Sequence, residues 1–542
     1  MICRILPPSS TLPSTSASQA GQSFGQHGQA GQGVGPYRQA GQSFGPLGSP
    51  TDSQARDWRL ATLFVLLGSV AAVVSSFLVR FLLARRLAPE GFGVFTLAVG
   101  IATATAGCAA LGLGAASARR VSLLRARGEV RDAAHTARRA LLVAAGSGTI
   151  GAVLLAALAP RLAQALGKPA LAAPLVALSP AVLALAVGNA GLGVARAFGD
   201  VAGRALWRDG LGGVLRALGV IAALAAGAGA AGAALGFAAG ALGGELAFLL
   251  YAGWHGWLRA TAIGEENPPS KDGRIPSPDR ASSGLVRDLG PFAAMGVLYQ
   301  AAQWFDVLLL GALAPAAEVG LYGVARGLER VLELGSEAGA HRFLPAATEA
   351  HHHDGARGLA QVYRQTRRLM LALLWPPLLL CLLAPRELLA ALFGAGYAGG
   401  GAALRVLAAG LLLTAGLGYN DRALLAAGEE RRVARFTLLA VLAGVLVAAL
   451  SARGHGGLGA AAGWATMIAV QNVLCSAALR RLRGVSPGFG ELARQALLAA
   501  LPPLALFGLL RGLGVAPLAA ALAAALGAGV AVLAVARRRD LK

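Results

Sequence analysis

The sequence predicts an all-α polytopic membrane protein with about fourteen transmembrane helices. Two observations lead to this fold class. The 542 residues are 56% hydrophobic and only 14% charged, whereas a soluble domain carries about 25% charged residues. Apolar runs also recur from Leu60 to the C-terminal region, and each is about 20 residues long, the length of a helix that crosses a bilayer.

The predicted spans divide the chain into two six-span halves and a final helical pair. The longest internal connection, residues 254–288, is rich in proline and serine, and we interpret it as a flexible cytoplasmic linker. It separates an N-terminal lobe (56–253) from a C-terminal lobe (289–480), and residues 481–542 hold the last two spans and a basic tail. The predicted spans are 59–84, 91–116, 140–159, 171–195, 209–228, 231–253, 289–313, 318–345, 369–384, 402–427, 435–451, 458–479, 496–511 and 516–536.

The arginines determine the predicted orientation. If the N-terminus is cytoplasmic, the loops on that side carry roughly thirty Arg and Lys residues, against about seven in the opposite loops. Because basic residues concentrate in cytoplasmic loops, we predict that both termini are cytoplasmic. The net charge of +22 is then a topology signal and does not indicate binding to nucleic acid.

Residues 1–55 differ in composition from the rest of the chain. The segment Gln19–Gly25 returns almost unchanged at Gln29 and Gln39, within a tract rich in Gly, Gln and Ser. Such a tract cannot bury enough apolar surface to fold, so we predict a disordered extension.

A short motif occurs once in each half. The order Leu-Ala-Pro, acid, glycine, apolar, aromatic appears at residues 87–95 and, with one residue inserted, at 313–322. Each copy lies between two apolar segments. We expect proline to end the first helix and glycine to let the backbone reverse in a tight turn. Internal similarity of this kind is typical of transporters built from repeats.

The densest group of ionisable residues inside an apolar segment lies in the eighth predicted span. Its three glutamates and its histidine recur every four residues and therefore share one stripe of the helix. Arg326 and Arg330 each precede a glutamate by three residues, a spacing that allows ion pairs. A charged stripe is too costly to face lipid, so it either packs against a polar neighbour or lines a water-filled path, which we favour. The group comprises Arg326, Glu329, Arg330, Glu333, Glu337, His341 and Arg342.

Other ionisable residues are scattered through the predicted spans. Arg80 and Arg216 either face a cavity or extend to the membrane surface, whereas the short side chain of Asp306 cannot reach that surface. Arginines in a cavity suit a phosphate-bearing anion, because a guanidinium pairs bidentately with phosphate. The carboxylates suit a proton or a cation. The remaining candidates are Glu245, Asp421 and Arg422.

The sequence gives no sign of catalysis, of a cofactor or of a metal site. It contains no Gly-x-x-x-x-Gly-Lys-Ser/Thr motif for nucleotide binding, and the predicted extracytoplasmic loops offer neither paired acids nor a nucleophile. The four cysteines lie far apart, which predicts neither a disulfide nor a zinc framework. The tract His351–Asp354 stands in a basic loop without a second cluster, so we interpret it as solvated.

Three segments and one proline carry a family resemblance: Leu-Ala-Arg-Arg-Leu-Ala-Pro-Glu-Gly-Phe-Gly (83–93), Phe-Asp-Val-Leu-Leu-Leu-Gly (305–311), Glu-Val-Gly-Leu-Tyr-Gly-Val-Ala-Arg (318–326) and Pro345. With these features, residues 56–536 resemble the polysaccharide (O-antigen type) flippases of the multidrug/oligosaccharidyl-lipid/polysaccharide exporter superfamily. The resemblance implies two pseudo-symmetric six-helix lobes around a central cavity, with two additional C-terminal helices. It also implies movement of a polyprenyl-pyrophosphate-linked oligosaccharide across the cytoplasmic membrane of a bacterium, by rocking of the lobes and with an ion gradient as the driving force.

The resemblance also implies roles for the ionisable residues and a set of partners. The partners are a lipid-linked oligosaccharide, the lipid bilayer and glycan polymerase or export machinery, with no cofactor and no nucleic acid. The cavity cations for the pyrophosphate are Arg80, Arg216, Arg326, Arg330 and Arg422. The ion-coupling or counter-charge groups are Asp306, Glu329, Glu333 and Glu337.

Four other functions remain open at this point. A flippase for the peptidoglycan lipid precursor would carry a substrate of similar chemistry. A drug/cation antiporter of the same fold would use the acidic stripe as its binding site. A membrane enzyme of glycan assembly is disfavoured because the predicted loops lack catalytic groups. A scaffold for such enzymes would need no transport activity.

Overall fold

The computed structural model describes the backbone of residues 52–255, 257, 278–485 and 489–540. Some side chains within these helices, among them those of residues 334–342, lie outside the described set. The predicted disordered extension, residues 1–55, lies outside the described part of the chain except for its last four residues. Of the predicted linker 254–288, residues 258–277 lie outside the described part, whereas residues 278–288 are helical and begin α8, so the prediction of a flexible linker is wrong for them.

The regular secondary structure of the described residues is entirely helical, as the sequence predicts. Alanine, leucine and arginine dominate these segments and are strong helix formers. A π-helical turn, Ala205–Leu211, connects α5 to α6. The helices are α1 (Asp52–Ala109), α2 (Leu113–Ala126), α3 (Val130–Ala165), α4 (Ala172–Phe198), α5 (Val201–Arg204), α6 (Gly212–Ala225), α7 (Gly229–Trp254), α8 (Pro278–Leu313), α9 (Ala316–Leu383), α10 (Pro385–Phe393), α11 (Gly401–Leu417), α12 (Asn420–Ala426), α13 (Glu430–Arg483), α14 (Phe489–Gly512) and α15 (Pro517–Asp540).

Eight helical stretches of the described residues are long and apolar enough to cross a membrane, and two shorter apolar helices accompany them. The chain is thus a multi-pass membrane protein, but the predicted number of about fourteen spans is not confirmed. Several of the stretches are long enough to include more than one predicted span. The stretches are Leu67–Ala126, Val130–Ala165, Pro169–Phe198, Gly229–Trp254, Phe292–Leu313, Phe343–Leu383, Ala395–Ala426 and Glu430–Arg483, and the shorter helices are Leu501–Gly512 and Pro517–Val530.

The helices continue through segments that the sequence predicts as loops. The predicted loop 346–368 lies wholly inside α9, and the predicted loop 118–139 is reduced to residues 127–129 between α2 and α3. Alanine and arginine are abundant in both segments, and they favour a helix outside the bilayer as well as within it. The length of an apolar run therefore predicts which part of a helix contacts lipid, but it does not predict where the helix begins and ends.

The three longest helices are each broken at one residue with positive φ. The breaks lie at Ala88 (φ 55°) in α1, at Gly355 (φ 59°) in α9 and at Gly456 (φ 51°) in α13. The sequence predicted that a glycine of the motif lets the backbone reverse. This prediction is wrong for the first motif copy, because the residue with positive φ is Ala88 and none of the glycines in this copy has a positive φ. The residue before a proline is driven out of the helical region, so Ala88 makes the break and Pro89 begins the second arm of α1.

The two copies of the motif pack directly against each other. A Cβ at Gly93 would lie 1.8 Å from the carbonyl oxygen of Ala316, and a Cβ at Gly320 would lie 1.9 Å from that of Pro89. Each glycine thus contacts the carbonyl four residues before the other glycine, which is a pseudo-twofold arrangement. The motif glycines serve this close approach of two backbones. We call this contact the paired turns.

Helix packing brings the two halves together along a few elements. In the first half α3 packs on α4, α6 on α7 and α4 on α7, and in the second half α9 packs on α11 and α15, and α13 on α8 and α11. Helix α8 also contacts α2 and α3 of the first half. One large apolar core includes residues of both halves, such as Leu97 and Leu310. The division into two six-helix lobes stays a prediction.

Candidate functional site

A cavity of about 250 Å³ lies where the two halves meet. Both arms of α1, together with α6 and α7, contribute its wall from the first half, and α8 and α9 contribute the wall from the second half. The lining combines aromatic rings with hydroxyl, amide and guanidinium groups. The lining residues are Ser75, Ser76, Val79, Arg80, Phe92, Phe95, Thr96, Val99, Thr103, Gly213, Arg216, Phe237, Gln303, Trp304, Val307, Gly323, Arg326 and Arg330.

Four of the five arginines that the sequence predicts as cavity cations line this cavity, namely Arg80, Arg216, Arg326 and Arg330. They come from α1, α6 and α9, so three helices distant in sequence converge on one space. None of the side chains that line this cavity in the described part of the chain is acidic. The lining therefore carries four positive charges.

Arg326 is the arginine that carboxylates neutralise. Its Nε lies 3.3 Å from Oδ2 of Asp306, and its Nη1 forms an ion pair with Glu329 and lies 4.0 Å from Oε2 of Glu333. Its guanidinium also lies 4.7 Å from the ring centroid of Trp464. Ion pairs and an aromatic ring on several sides fix the position of this side chain.

Asp306, Glu329 and Glu333, the carboxylates predicted as coupling groups whose side chains the structure describes, do not line the cavity. Asp306 is fully buried and accepts hydrogen bonds from the Tyr322 hydroxyl at 2.5 Å and from the Val307 backbone N–H at 2.8 Å. Glu329 is also fully buried, and its Oε1 has no hydrogen-bond partner within the described residues. The side chain of Glu337 lies outside the described set. The acidic stripe therefore faces protein at Glu329, where the sequence favoured a water-filled path.

Arg330 is held by neutral groups. Its Nη2 donates a hydrogen bond to the side-chain oxygen of Gln303. Its guanidinium lies 5.7 Å from the ring centroid of Trp304, which also lines the cavity. These contacts orient the guanidinium but leave its charge uncompensated, because an amide and an indole carry no net charge.

Arg80 and Arg216 have no carboxylate partner among the side chains that the structure describes. Arg80 packs over Gly327, where an added Cβ would lie 2.5 Å from its Nη1. The Arg216 guanidinium lies 5.8 Å from the ring centroid of Phe237. The sequence left open whether these two arginines face a cavity or extend to the membrane surface, and the structure places both in the cavity wall.

The charges of the cavity do not balance within the described residues. Asp306 and Glu329 compensate Arg326, while Arg80, Arg216 and Arg330 lack a direct ion pair with a described carboxylate. Guanidinium groups in a concave wall of low dielectric concentrate a positive potential. The cavity is therefore suited to an anion that carries several negative oxygens.

The sequence reasoning did not find the neutral part of the lining. Phe92, Thr96, Val99 and Thr103 follow one another at intervals of three and four residues along the second arm of α1. This spacing places them on one face of a helix. The helical spacing of these hydroxyl and aromatic residues is visible in the sequence. They were not predicted as site residues because they are uncharged, and only ionisable residues inside apolar spans were selected as candidates.

Arg422 is placed differently from the other four predicted arginines. It does not belong to the lining of this cavity, and its guanidinium lies 5.2 Å from the ring centroid of Tyr419. Tyr419 in turn packs on Phe343 with a centroid distance of 5.3 Å. Asp421 and Arg422 lie in the first turn of α12, immediately after the break between α11 and α12.

The cavity borders the paired turns at Phe92, and further contacts join the two halves around them. Arg85 donates two hydrogen bonds of 3.0 Å to the carbonyl oxygens of Ala391 and Leu392 at the end of α10. The Tyr397 hydroxyl donates to the carbonyl oxygen of Ala84 at 2.9 Å. We call these contacts, together with the paired turns, the seal.

Lys168 forms a further contact between the two halves, in addition to the seal. Its Nζ donates hydrogen bonds to the carbonyl oxygens of Gly311 at 2.7 Å and of Leu166 at 3.3 Å. Gly311 lies near the C-terminal end of α8, where exposed carbonyls favour a cation. The loop after α3 is thus attached to the second half immediately before the second motif copy.

Solved structures with a similar fold include membrane transporters and a lipid flippase. A multidrug resistance MATE family transporter of the MOP superfamily in an inward-facing conformation matches with a TM-score of 0.64 and 16% identity, over 78% of this chain and 98% of that chain. The lipid II flippase MurJ in an inward closed conformation matches with a TM-score of 0.61 and 10% identity, over 89% and 100% of the two chains. The eukaryotic MATE transporter AtDTX14 matches with a TM-score of 0.55 and 14% identity, over 82% and 98%.

Comparison of the sequence with family models gives the family directly. No curated protein sequence matches the chain. The family model described as polysaccharide biosynthesis protein matches residues 61–335, which is half of the chain and includes every residue that lines the cavity. Because this match spans half of the chain, the chain belongs to the polysaccharide biosynthesis protein family.

Proposed function

We propose that this protein moves a polyprenyl-pyrophosphate-linked oligosaccharide across the cytoplasmic membrane. The observation that carries the proposal is the cavity between the halves, where Arg80 and Arg216 have no carboxylate partner among the described residues. A charge within a membrane-embedded wall is costly unless something pairs with it, so these positions favour an anionic ligand. Membership in a polysaccharide biosynthesis family narrows that ligand to a glycan precursor.

The pyrophosphate of such a precursor is the group that the arginines would bind. Each guanidinium can donate two parallel hydrogen bonds to a phosphate. Arg80, Arg216 and Arg330 would contact the pyrophosphate directly, because none of them forms a direct ion pair with a described carboxylate. Arg326, already paired with Asp306 and Glu329, would add a charge at a fixed position.

The size of the cavity limits how much of the substrate it can hold. Pockets for drug-sized ligands measure about 300–1,000 Å³, and this cavity is about 250 Å³. It can admit the pyrophosphate with the adjoining sugar, whose hydroxyls could bond to Thr96, Thr103 and Gln303. The polyprenyl chain and the distal sugars would extend outside it.

We propose two roles for the carboxylates. Asp306 and Glu329 act as counter-charges that hold Arg326. Glu333, whose side chain is 33% exposed, is the described acid of this group that the protein covers least, and we propose it for ion coupling together with Glu337. Arg422 stays a predicted phosphate contact that would require a conformation in which the break between α11 and α12 approaches the cavity.

Transport by alternating access would require the seal to open. The arginine distribution predicts that the paired turns lie on the extracytoplasmic side. We propose that the protein binds substrate from the cytoplasmic leaflet while the seal is closed. Rocking of the halves would then separate Gly93 from Gly320 and release the substrate outward, with both termini remaining in the cytoplasm.

Of the competing functions, the peptidoglycan-precursor flippase has support from a specific observation. The MurJ fold covers 89% of this chain, and a lipid-linked precursor with a pyrophosphate would suit the same arginines. A drug/cation antiporter has less support, because a cationic drug would meet four arginines and no carboxylate in the described lining.

Complementation tests the proposal against these alternatives. The chain would be expressed in a strain that lacks its surface polysaccharide flippase, and in a second strain depleted of its peptidoglycan-precursor flippase. We expect restored surface glycan and loss of accumulated lipid-linked oligosaccharide in the first strain only. Rescue of the second strain alone would assign the precursor function. Resistance to cationic drugs without rescue of either strain would assign the antiporter function.

A matched pair of variants relates the outcome to the cavity. Arg80→Gln with Arg216→Gln should abolish complementation while the protein still inserts. Arg364→Gln, which removes an exposed arginine of α9, should complement normally. Equal complementation by both would show that the cavity arginines do not bind the substrate.

A further inference from the structure

A second group of buried charges lies in the first half, on the far side of Arg216. Glu245 of α7 is 6% exposed, and its Oε2 accepts a hydrogen bond from Nε of Arg208 at 3.2 Å. Arg208 and Asp209 belong to the π-helical turn before α6. A π-helical turn displaces side chains from the regular helical positions and often occurs at functional sites.

One oxygen of Glu245 has no partner. Its Oε1 is buried without a hydrogen bond to any described group, and such an atom loses the full free energy of its hydration. The carboxylate borders a chamber of about 10 Å³ that is lined by Arg208, Arg216 and Gly244, with Ala184, Leu185 and Ala241 completing the wall. The unpartnered carboxylate thus lines a small space with polar walls.

The size and charge of this chamber select its ligand. About 10–15 Å³ is the least volume that holds one water molecule, so an organic ligand or a hydrated metal ion does not fit. The two guanidinium groups would repel a bare metal cation, and the described residues contain no group of three potential metal ligands. The chamber holds at most one water molecule, so a proton, taken up by the carboxylate itself, is the ion that remains.

Arg216 connects the chamber to the substrate cavity, because it lines both. The charged groups around Glu245 in the described residues are Arg208, Asp209 and Arg216, with Arg204 behind them at 3.0 Å from Asp209. Helix α4 faces Glu245 with Gly188 and Gly191 and contributes no charge.

We propose that Glu245 is a proton-binding site whose protonation strengthens the binding of an anion at Arg216. Protonation removes one negative charge beside Arg208 and Arg216, so the positive potential at the cavity wall rises. Linkage is reciprocal, and a bound anion therefore favours the protonated form of Glu245. The proton site stands on its own geometry, whereas its coupling to the substrate rests on the proposed function.

The proton site is tested without any ligand. The purified full-length protein would be titrated between about pH 5 and pH 9, a range that includes buried glutamates, while the infrared band of protonated carboxylic acids is recorded. We expect the wild type and Glu349→Gln, which removes an exposed carboxylate, to show a titrating component that is missing from Glu245→Gln. The buried Glu329 is present in all three proteins, so its contribution cancels in the difference spectrum. Glu245→Asp should retain the component. Equal titrating bands in the wild type and in Glu245→Gln would overturn the proposal.

The coupling is tested with farnesyl pyrophosphate as the probe. We expect the wild type to bind it at least about fivefold more tightly at the low end of the titration than at the high end, the lower bound of ordinary coupling. Glu245→Gln should bind tightly at both ends. Protonation of the probe itself changes its affinity for the wild type and for Glu245→Gln equally. If the affinity of Glu245→Gln depends on pH as much as that of the wild type, the coupling is overturned. A titrating Glu245 in a protein that does not bind the probe would contradict the proposed function and leave the proton site intact.

Discussion

Substitution of Gly93 by alanine should open the extracytoplasmic side of the protein. The added Cβ would lie 1.8 Å from the carbonyl oxygen of Ala316, and Cβ atoms essentially never approach a heavy atom closer than 3.0 Å. The obstacle is backbone, which cannot rotate away as a side chain can. The paired turns must therefore separate by about 1.2 Å, the difference between these two distances.

The size of the effect follows from the cost of overpacking. Forcing an extra methyl group into a close-packed contact costs about 1–3 kcal/mol. If the contact exists only when the seal is closed, about 2 kcal/mol shifts the ratio of open to closed molecules by roughly 30-fold. Gly320→Ala acts on the same contact from the other turn, so it should have a similar effect.

Labelling of a cysteine in the cavity measures this shift. Thr96→Cys would be introduced into a variant in which the four native cysteines are replaced, and a membrane-impermeant maleimide would be added from outside. We expect Gly93→Ala and Gly320→Ala to accelerate labelling by about the same factor as the population shift. Gly146→Ala is the matched control, because its Cβ would meet nothing within 4 Å. Equal labelling rates in Gly93→Ala and Gly146→Ala would refute the seal.

Three further predictions follow from single contacts. Tyr397→Phe loses the hydrogen bond to Ala84, worth about 1 kcal/mol, so labelling of Thr96→Cys should accelerate about fivefold, and an unchanged rate would remove this bond from the seal. Asp306→Asn removes one buried counter-charge from Arg326, and breaking a buried ion pair costs about 3–5 kcal/mol. The thermal unfolding midpoint of Asp306→Asn should therefore fall clearly below that of Glu349→Gln, which removes an exposed carboxylate. Arg330→Lys loses the planar group over Trp304 and its bidentate donors, so farnesyl pyrophosphate should bind about tenfold more weakly, and equal affinity would exclude Arg330 from the site.

Much of the fold was predictable because the bilayer determines how long an apolar run must be and keeps most charged residues out of it. The helical class and the repeated turn were both readable from the sequence. The ends of the helices were not, because residues such as those of 346–368 favour a helix without contacting lipid. The turn at Ala88 was also misjudged: the sequence pointed to glycine, whereas the clash before Pro89 makes the break.

The candidate site was predictable in its charges and not in their partners. Arg80, Arg216, Arg326 and Arg330 were identified because a charge inside an apolar span needs an explanation. The spacing of Arg326 and Glu329 predicted an ion pair within α9, but the sequence could not show that Asp306 also pairs with Arg326, since that depends on how α8 packs on α9. The neutral lining, and the convergence of Arg208 and Glu245 from separate helices, also required the tertiary structure.

The most direct test of the account is the affinity of the purified protein for farnesyl pyrophosphate, compared with farnesol. Hydrogen bonds to charged groups contribute about 1.5–3 kcal/mol each, so we expect Arg80→Gln with Arg216→Gln to weaken pyrophosphate binding by roughly a hundredfold or more and to leave farnesol binding unchanged. Arg364→Gln should bind both compounds as the wild type does. Equal affinity of the wild type for the two compounds, or an unaltered affinity in the double variant, would contradict the claim that the cavity arginines bind a pyrophosphate.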